Sequence, residues 1–151
     1  MATATSINST EQDKSAILDF IEDMAKARYD KNPWAIAASY TPDAFIFNLA
    51  PPLVHRGIDI AETQAWLDTW DGPIEIEPRD FHVTVSGDTA FCHGYMRMVG
   101  TKKGVDHRVS FWMRETLCLL RQADTWQIIH EHTSVPFYMD EGLRPAFDLN
   151  P

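Results

Sequence analysis

The run from Glu115 to Ser134 constrains the fold of this chain more than any other feature. It contains two apolar, strand-like stretches separated by a short polar connection at residues 122–124. Strands joined by so short a connection pair antiparallel. The end of the chain is therefore predicted to form a β-hairpin.

The first part of the chain has a helical pattern. Ser9 and Gln12 have the spacing of a capping box, and the apolar residues from Ile17 to Tyr29 then recur at helical intervals. An amphipathic first helix is expected.

Two further helices and one short strand are predicted before the middle of the chain. Asn32 and Pro33 are a suitable N-cap and first-turn residue for a short second helix that ends near Tyr40. A short strand is expected over residues 44–48, and apolar residues on one stripe predict a third helix over residues 57–70.

Long strands with short turns account for most of the remainder. The four predicted strands span Ile74 to Val85, Thr89 to Gly100, Val105 to Leu120 and Thr125 to Thr133. Short turns between them indicate an antiparallel meander. Helices followed by strands favour an α+β fold, in which a curved antiparallel sheet forms a cone closed by about three N-terminal helices.

Length and charge restrict the class of protein. The 151 residues suit one domain at residues 15–135, with a flexible N-terminal segment at 1–14 and a C-terminal extension at 136–151. A formal charge of -9 disfavours nucleic acid and anionic lipid as partners. The polar start of the chain contains neither a signal peptide nor a membrane span, so a cytoplasmic location is expected. No glycine-rich nucleotide loop is present, and no cofactor is predicted.

The order of elements, together with Trp126-Gln127-Ile128-x-His130-x-His132-x-Ser134, resembles the nuclear transport factor 2-like superfamily. Within it, the chain is most similar to the SnoaL-like and ketosteroid isomerase-like branch, which has a cystatin-like fold. Glu115-Thr116 and Asp124 also resemble, in spacing, the association domain of calmodulin-dependent protein kinase II. The resemblance implies a small hydrophobic ligand in an enclosed pocket and a homodimer formed through the outer face of the sheet.

Departures from those relatives are informative. Asn48 falls where steroid isomerases have a carboxylate base, and Met24 falls where they have an oxyanion-hole tyrosine, which disfavours steroid isomerase chemistry. The arginine trio of the kinase association domain corresponds to Arg97, Leu117 and Thr133. This implies a mostly apolar pocket with Arg97 as its one cationic anchor.

If Arg97 faces the pocket, strand alternation brings other side chains to the same side. The predicted substrate-binding residues are Asn48, Trp66, His93, Tyr95, Leu117, Ile129, Glu131 and Thr133. Glu115 is the candidate acid or base, and Arg97 would stabilise an enolate or a carboxylate. Alternatively, an arginine and a glutamate at these positions form only a structural ion pair.

The opposite side of the last strand is predicted to carry Trp126, Ile128, His130 and His132. A face of mixed aromatic, apolar and polar character suits a dimer contact. His-x-His could also bind a metal if a third ligand approached, but hydrogen-bonded histidines are commoner and no metal is predicted.

Two functions are therefore compatible with the sequence. The first is a SnoaL-like isomerase, cyclase or lyase that acts by acid–base catalysis on a hydrophobic carbonyl or carboxylate compound. The second is a non-catalytic ligand-binding or oligomerisation module of the same fold.

Overall fold

Three helices precede most of the sheet. The computed structural model describes the backbone from Ala4 to Pro151 and the side chains from Thr10 onward. The helices are α1 (Ala4–Tyr29), α2 (Pro33–Ala38) and α3 (Ile60–Leu67). None of the described helices is both long and apolar enough to cross a membrane.

The boundaries of α1 and α3 differ from the predicted ones. α1 begins at Ala4, so Ser9 and Gln12 lie within the helix instead of capping it, and residues 1–3 of the predicted N-terminal segment lie outside the described residues. α3 begins after Asp59, whose carboxylate accepts a hydrogen bond from the Glu62 amide at 2.8 Å. The cap of α2 is as predicted, since Asn32 Oδ1 accepts from the amide of Ala35 at 3.0 Å.

Six strands form one sheet in the order β2-β1-β6-β5-β4-β3. Their bounds are β1 (Tyr40–Phe47), β2 (His55–Arg56), β3 (Trp70–Ser86), β4 (Thr89–Lys102), β5 (Arg108–Gln122) and β6 (Thr125–Ser134). The predicted α+β fold and the four-stranded meander are confirmed. The complete sheet is mixed because β1 runs parallel to β6, and it is open, with β2 and β3 at its edges.

The concave face of the sheet is covered by α1, which packs mainly on β3. Fully buried side chains of the helix meet those of the sheet in one core: Ile17, Ile21, Met24, Cys92, Leu117, Leu119 and Ile128. We call the covered side the inner face and the opposite side the outer face.

The pairing of β4 with β5 determines which residues reach the inner face. Cys92 lies opposite Leu117, and Met96 lies opposite Met113, so these side chains point inward together. Arg97 pairs with Trp112 and therefore points outward. The predicted inward orientation of Arg97 is wrong, because Glu115 and Arg97 have opposite parity in this register.

A bulge in β6 changes which side chains face inward. Cys118 pairs with His130 and Leu119 with Ile128, which leaves Ile129 as an extra residue. Before the bulge, Trp126 and Ile128 are buried, contrary to the predicted outward orientation. After it, Glu131 and Thr133 are buried, as predicted.

The C-terminal segment from Pro136 to Pro151 folds back on the domain. Phe137 bridges to Pro145, and the ring of Phe147 lies 4.5 Å from that of Phe111 on β5. Ala146 is almost completely buried beside this contact. The segment is thus held against one end of the sheet.

Candidate active site

Four ionisable side chains from different elements meet on the inner face. Glu115 comes from β5 and Glu131 from the part of β6 that follows the bulge. Tyr40 is the first residue of β1, and Arg28 lies in the last turn of α1. We call Glu115 and Glu131 the carboxyl pair.

Hydrogen bonds link the group into a chain. The Tyr40 hydroxyl donates to Oε2 of Glu131, and Nη2 of Arg28 donates to the Tyr40 oxygen at 3.2 Å. The second guanidinium nitrogen, Nη1 of Arg28, donates to the main-chain carbonyl of Met24 at 3.3 Å. Only 4% of Glu115, 6% of Glu131 and 4% of Tyr40 is exposed. Such burial is costly for carboxylates unless a proton or a positive charge compensates it.

The carboxyl pair compensates by retaining a proton. Burial, followed by repulsion from and hydrogen bonding to Glu131, raises the pKa of Glu115 well above its usual range. Two carboxyl groups at one site cannot both ionise cheaply, so the pair holds one proton near neutral pH. We assign that proton to Glu115.

The other two groups keep their ordinary charge states. Burial and the neighbouring Glu131 raise the pKa of Tyr40, so its hydroxyl remains a donor. Burial lowers the pKa of Arg28, but its interactions with Tyr40, Glu131 and Glu115 outweigh this and raise the pKa overall. One positive charge thus balances the single negative charge of the pair.

One polar atom of this group has no partner. Oε2 of Glu115 is buried and accepts no hydrogen bond from any residue that the structure describes. An unsatisfied buried acceptor costs about 1–3 kcal/mol. A bound molecule that reached this atom would remove that cost.

An apolar cleft of about 470 Å³ opens to solvent at the end of β1 and β6. It is lined by Phe47, residues 48–53, His132 and Thr133. Thr133 is the cross-strand partner of Glu115, and cross-strand neighbours lie about 5 Å apart. The cleft therefore borders the strand pair that carries Glu115 through Thr133, although neither carboxyl group lines it.

The structure brings together some of the residues predicted for the site. Glu115, Glu131 and Thr133 share the inner face, and Asn48 lines the adjacent cleft, where its Oδ1 accepts from the amide of Ala50 at 2.8 Å. Leu117 belongs to the core. Ile129 occupies the bulge and does not line this cleft.

Four predicted site residues lie elsewhere. Arg97 is on the outer face with 41% of its side chain exposed, 3.1 Å from Ser110 Oγ. His93 and Tyr95 line a separate cleft on that face, because they share the parity of Arg97. Trp66 is exposed on α3 with its ring edge-on to Trp70.

Sequence reasoning missed Arg28 and Tyr40. Arg28 follows Ile17, Ile21 and Met24 at helical spacing, so it is a charged residue on an apolar stripe. A charge at such a position indicates a buried polar site, and this signal was available in the sequence. Tyr40 was expected at the end of α2, but it begins β1.

The two histidines of β6 contact β1. Nδ1 of His130 lies 2.9 Å from the carbonyl oxygen of Phe45, and both His130 and His132 pack edge-on against Phe47. Across the described residues, no three His, Cys, Asp or Glu side chains are grouped so as to hold a metal ion.

Comparison with known proteins places this chain in a family. A family model of the SnoaL-like domain matches residues 14–138. The chain belongs to the SnoaL-like family. A comparison with curated proteins found no match.

Solved structures extend the SnoaL-like assignment to the nuclear transport factor 2-like superfamily. A protein of unknown function from Pseudomonas putida is 30% identical, with a TM-score of 0.80 over 93% of this chain and 98% of that one. A candidate scytalone dehydratase from Novosphingobium aromaticivorans is 13% identical, with a TM-score of 0.78 over 92% and 96% of the two chains. A candidate calcium/calmodulin-dependent protein kinase II association domain from Xanthomonas campestris is 18% identical, with a TM-score of 0.68 over 78% and 84%. The last two likenesses concern the fold alone.

Proposed function

We propose that this SnoaL-like protein is a cofactor-independent enzyme that catalyses proton transfer on a hydrophobic carbonyl compound, with dehydration as its reaction. The observation that carries the proposal is the buried carboxyl pair, which holds one proton and is linked to an apolar cleft through the cross-strand neighbour Thr133. Perturbed acids beside a cleft are typical of acid–base sites. The name given to the structurally similar scytalone dehydratase candidate favours the same reaction class.

The pair contains both groups that dehydration requires. The protonated carboxyl of Glu115 donates its proton to the hydroxyl oxygen of a β-hydroxy carbonyl compound, and the carbon–oxygen bond breaks as water leaves. The carboxylate of Glu131 takes the proton from the carbon next to the carbonyl, and the electron pair of that bond forms the carbon–carbon double bond. The proton on Glu131 then returns to Glu115 through their shared hydrogen bond, which restores the starting state.

Tyr40 and Arg28 support this exchange from the other side of Glu131. The Tyr40 hydroxyl bonds to Glu131 and is itself bonded by Arg28. Arg28 acts through Tyr40, so it is a positioning residue that keeps a positive charge near the carboxylate.

The cleft indicates the substrate class. Its wall is formed by Phe47 and by the loop that contains Leu49 and Leu53, which suits an apolar body. The inner-face cation, Arg28, is already engaged with Tyr40 and a main-chain carbonyl. We therefore propose a neutral carbonyl compound and not the carboxylate for which Arg97 was the expected anchor.

Turnover of a model substrate tests the proposal. The probe is the aldol adduct of benzaldehyde and acetone, whose dehydration gives a conjugated enone that is followed by ultraviolet absorbance. Glu115→Gln and Glu131→Gln should each lower kcat/KM by about 10²- to 10⁴-fold. Glu22→Gln, which alters an exposed carboxylate on α1, is the matched control and should leave the rate unchanged. Wild-type rates in both pair variants would refute the proposal.

The alternative function is a ligand-binding or oligomerisation module without catalysis. Similarity in fold to the kinase association domain candidate favours this alternative. It predicts that the enone product binds the wild-type protein while the aldol adduct is never converted. Titration calorimetry with the enone, run beside the absorbance assay, separates the two functions.

We also propose that the protein forms a homodimer through the β1 and β6 part of the outer face. Phe45 on β1 exposes apolar surface there, with 45% of the residue exposed. Phe45→Glu should convert a dimer to a monomer in light scattering at micromolar concentration. Leu18→Glu, at an exposed position on α1, is the control. A wild-type monomer would contradict this proposal.

A cytoplasmic location is the last part of the proposal. Cys92 and Cys118 are free, and free thiols persist in reducing compartments. Burial raises the pKa of Cys92 to about 12, so this thiol is unreactive. Fractionation of the source cells, followed by detection of the protein with an antibody, tests the location.

A further inference from the structure

Three polar side chains lie in line across the inner face, from the carboxyl pair to the apolar cleft. Glu115 is the cross-strand partner of Thr133. In the parallel register of β1 and β6, Phe47 lies beside His132. Continuation of that register brings Asn48 beside Thr133, and both residues line the cleft. We call Asn48, Thr133 and Glu115 the polar row.

A turn fixes the orientation of the Asn48 amide. Its Oδ1 accepts a hydrogen bond from the main-chain amide of Ala50 at 2.8 Å. Only the oxygen of a side-chain amide accepts from an N–H group, so Nδ2 takes the other branch of the side chain. None of the residues that the structure describes accepts a hydrogen bond from Nδ2. The side chain therefore offers two N–H donors at the wall of an apolar cleft.

The other two members of the polar row also have free hydrogen-bonding capacity. Thr133 is 9% exposed, and its hydroxyl has no hydrogen-bond partner among residues 10–151. Oε2 of Glu115 is buried and equally unpaired within the same part of the chain. Buried polar groups in folded proteins are normally paired. Three neighbouring groups without partners therefore indicate a ligand that carries complementary oxygen atoms.

The spacing of the polar row suits a β-hydroxy carbonyl compound. Neighbouring strands lie about 4.8 Å apart, so the backbones of Asn48 and Glu115 are separated by roughly 10 Å. Two hydrogen bonds of about 2.8 Å, with the separation of about 3–4 Å between the two oxygens of such a compound, fill this span. A simple ketone would reach only one end of the row.

We propose that Asn48 and Thr133 form a carbonyl subsite, which fixes the direction in which a β-hydroxy carbonyl compound binds to the candidate active site. Nδ2 of Asn48 and the hydroxyl of Thr133 donate hydrogen bonds to the carbonyl oxygen. The hydroxyl group of the substrate meets the carboxyl group of Glu115. The carbon between them then faces Glu131, two residues before Thr133 on the same side of β6. This orientation rests on the proposed dehydration.

The two donors act on charge that develops during the reaction. When Glu131 removes the proton from the carbon next to the carbonyl, electron density moves towards the carbonyl oxygen in the transition state. Donors aimed at that oxygen therefore stabilise the transition state more than the bound substrate. The cleft opens to solvent, so their effect should be smaller than that of a fully buried oxyanion hole.

Asn48→Asp tests the donor without removing the turn, because a carboxylate still accepts from Ala50 but has no N–H group. Its charge also opposes charge on the carbonyl oxygen. The variant should lower kcat for the aldol adduct of benzaldehyde and acetone by about 10- to 100-fold, with a smaller change in KM. Thr133→Val keeps the shape of the side chain and should lower kcat by about three- to tenfold. Gln12→Glu, the same change of an amide to a carboxylate at an exposed position on α1, is the matched control and should leave kcat unchanged.

The carbonyl stretch of the bound enone reports these hydrogen bonds without any turnover. The enone product, labelled with carbon-13 at its carbonyl, is added to each protein, and infrared difference spectra are recorded. The carbonyl band should lie at a lower frequency in the wild-type complex than in the complexes of Asn48→Asp and Thr133→Val.

The two readouts distinguish failure of the subsite from failure of the proposed function. A lowered band in a wild-type protein that never converts the aldol adduct would support the carbonyl subsite and refute dehydration. Dehydration with an unchanged or higher kcat in Asn48→Asp would overturn the subsite and leave the function standing. The same band in wild type and both variants would also overturn the subsite, as would no binding of the enone to wild type.

Discussion

Replacing Glu115 with glutamine probes the protonation state on which the proposed chemistry depends. Glutamine has the size of a protonated glutamate, and its amide still donates a hydrogen bond to Glu131. The substitution therefore preserves the neutral form of the side chain and removes the proton exchange. The variant therefore separates the contribution of this carboxyl group to folding stability from its contribution to catalysis.

The effect on stability follows from the direction of the pKa shift. Burial raises the folded-state pKa of Glu115 above its unfolded value, so folding retains a proton that the unfolded chain releases. The stabilising contribution is complete below the unfolded pKa of about 4.3 and is lost as pH rises towards the folded pKa. Over that window the wild-type free energy of unfolding should fall by about 1.4 kcal/mol per pH unit relative to Glu115→Gln.

Urea unfolding measures this difference directly. Wild type, Glu115→Gln and the surface control Glu22→Gln are unfolded at several pH values from about pH 4 to about pH 7. The glutamine variant at 115 should become progressively more stable than wild type as pH rises, whereas the control should follow wild type. A constant difference across the range would mean that Glu115 is ionised in the folded protein. The one-proton carboxyl pair, and the dehydration mechanism with it, would then be wrong.

Three further substitutions test other parts of the structure. Tyr40→Phe removes the hydroxyl that joins the buried arginine to the carboxyl pair, and it should cost about 1–3 kcal/mol in urea unfolding. Phe147→Ala removes the ring that packs on Phe111, so amide exchange in residues 136–151 should become faster while the sheet keeps its protection. Gly94→Ala places a Cβ atom 2.7 Å from the Phe81 ring and should cost about 1–3 kcal/mol, seen as a lower Tm.

The order of elements was predictable because each element carries a local signal. The cap at Asn32, the apolar period of α1 and the turn at Gly87, whose φ is 59°, depend on residues next to each other in sequence. The two-residue strand β2 was missed, since so short a stretch has no period to recognise. Its partner β1 was predicted too short for a similar reason.

The sheet faces were only partly predictable, because register is a long-range property. Glu115 and Leu117 were correctly placed inward together. Arg97 was not, because its orientation was taken from a resemblance, and a one-residue slip between two strands reverses every side chain. The connection between β4 and β5 sets that register, and its length differed from the predicted turn.

The candidate site needed contacts between distant parts of the chain. Tyr40 and Glu131 are ninety-one positions apart and meet only because β1 lies parallel to β6. The sequence could place Glu131 on the correct face, but it could not show that a tyrosine and the helix residue Arg28 would meet it there. The contacts within this group therefore depend on the strand order of the sheet, which the sequence alone did not reveal.

The bulge at Ile129 allows the two halves of β6 to play different structural roles. With it, the first half of β6 seals the hydrophobic interior and the second half delivers an acid to the site. If Ile129 instead paired regularly with Cys118 and the bulge were lost, the second half would turn over, so that His130 and His132 pointed at α1 while Glu131 and Thr133 entered water. The bulge, and not the alternation of the sequence alone, therefore decides whether a carboxyl or an imidazole group reaches the inner face.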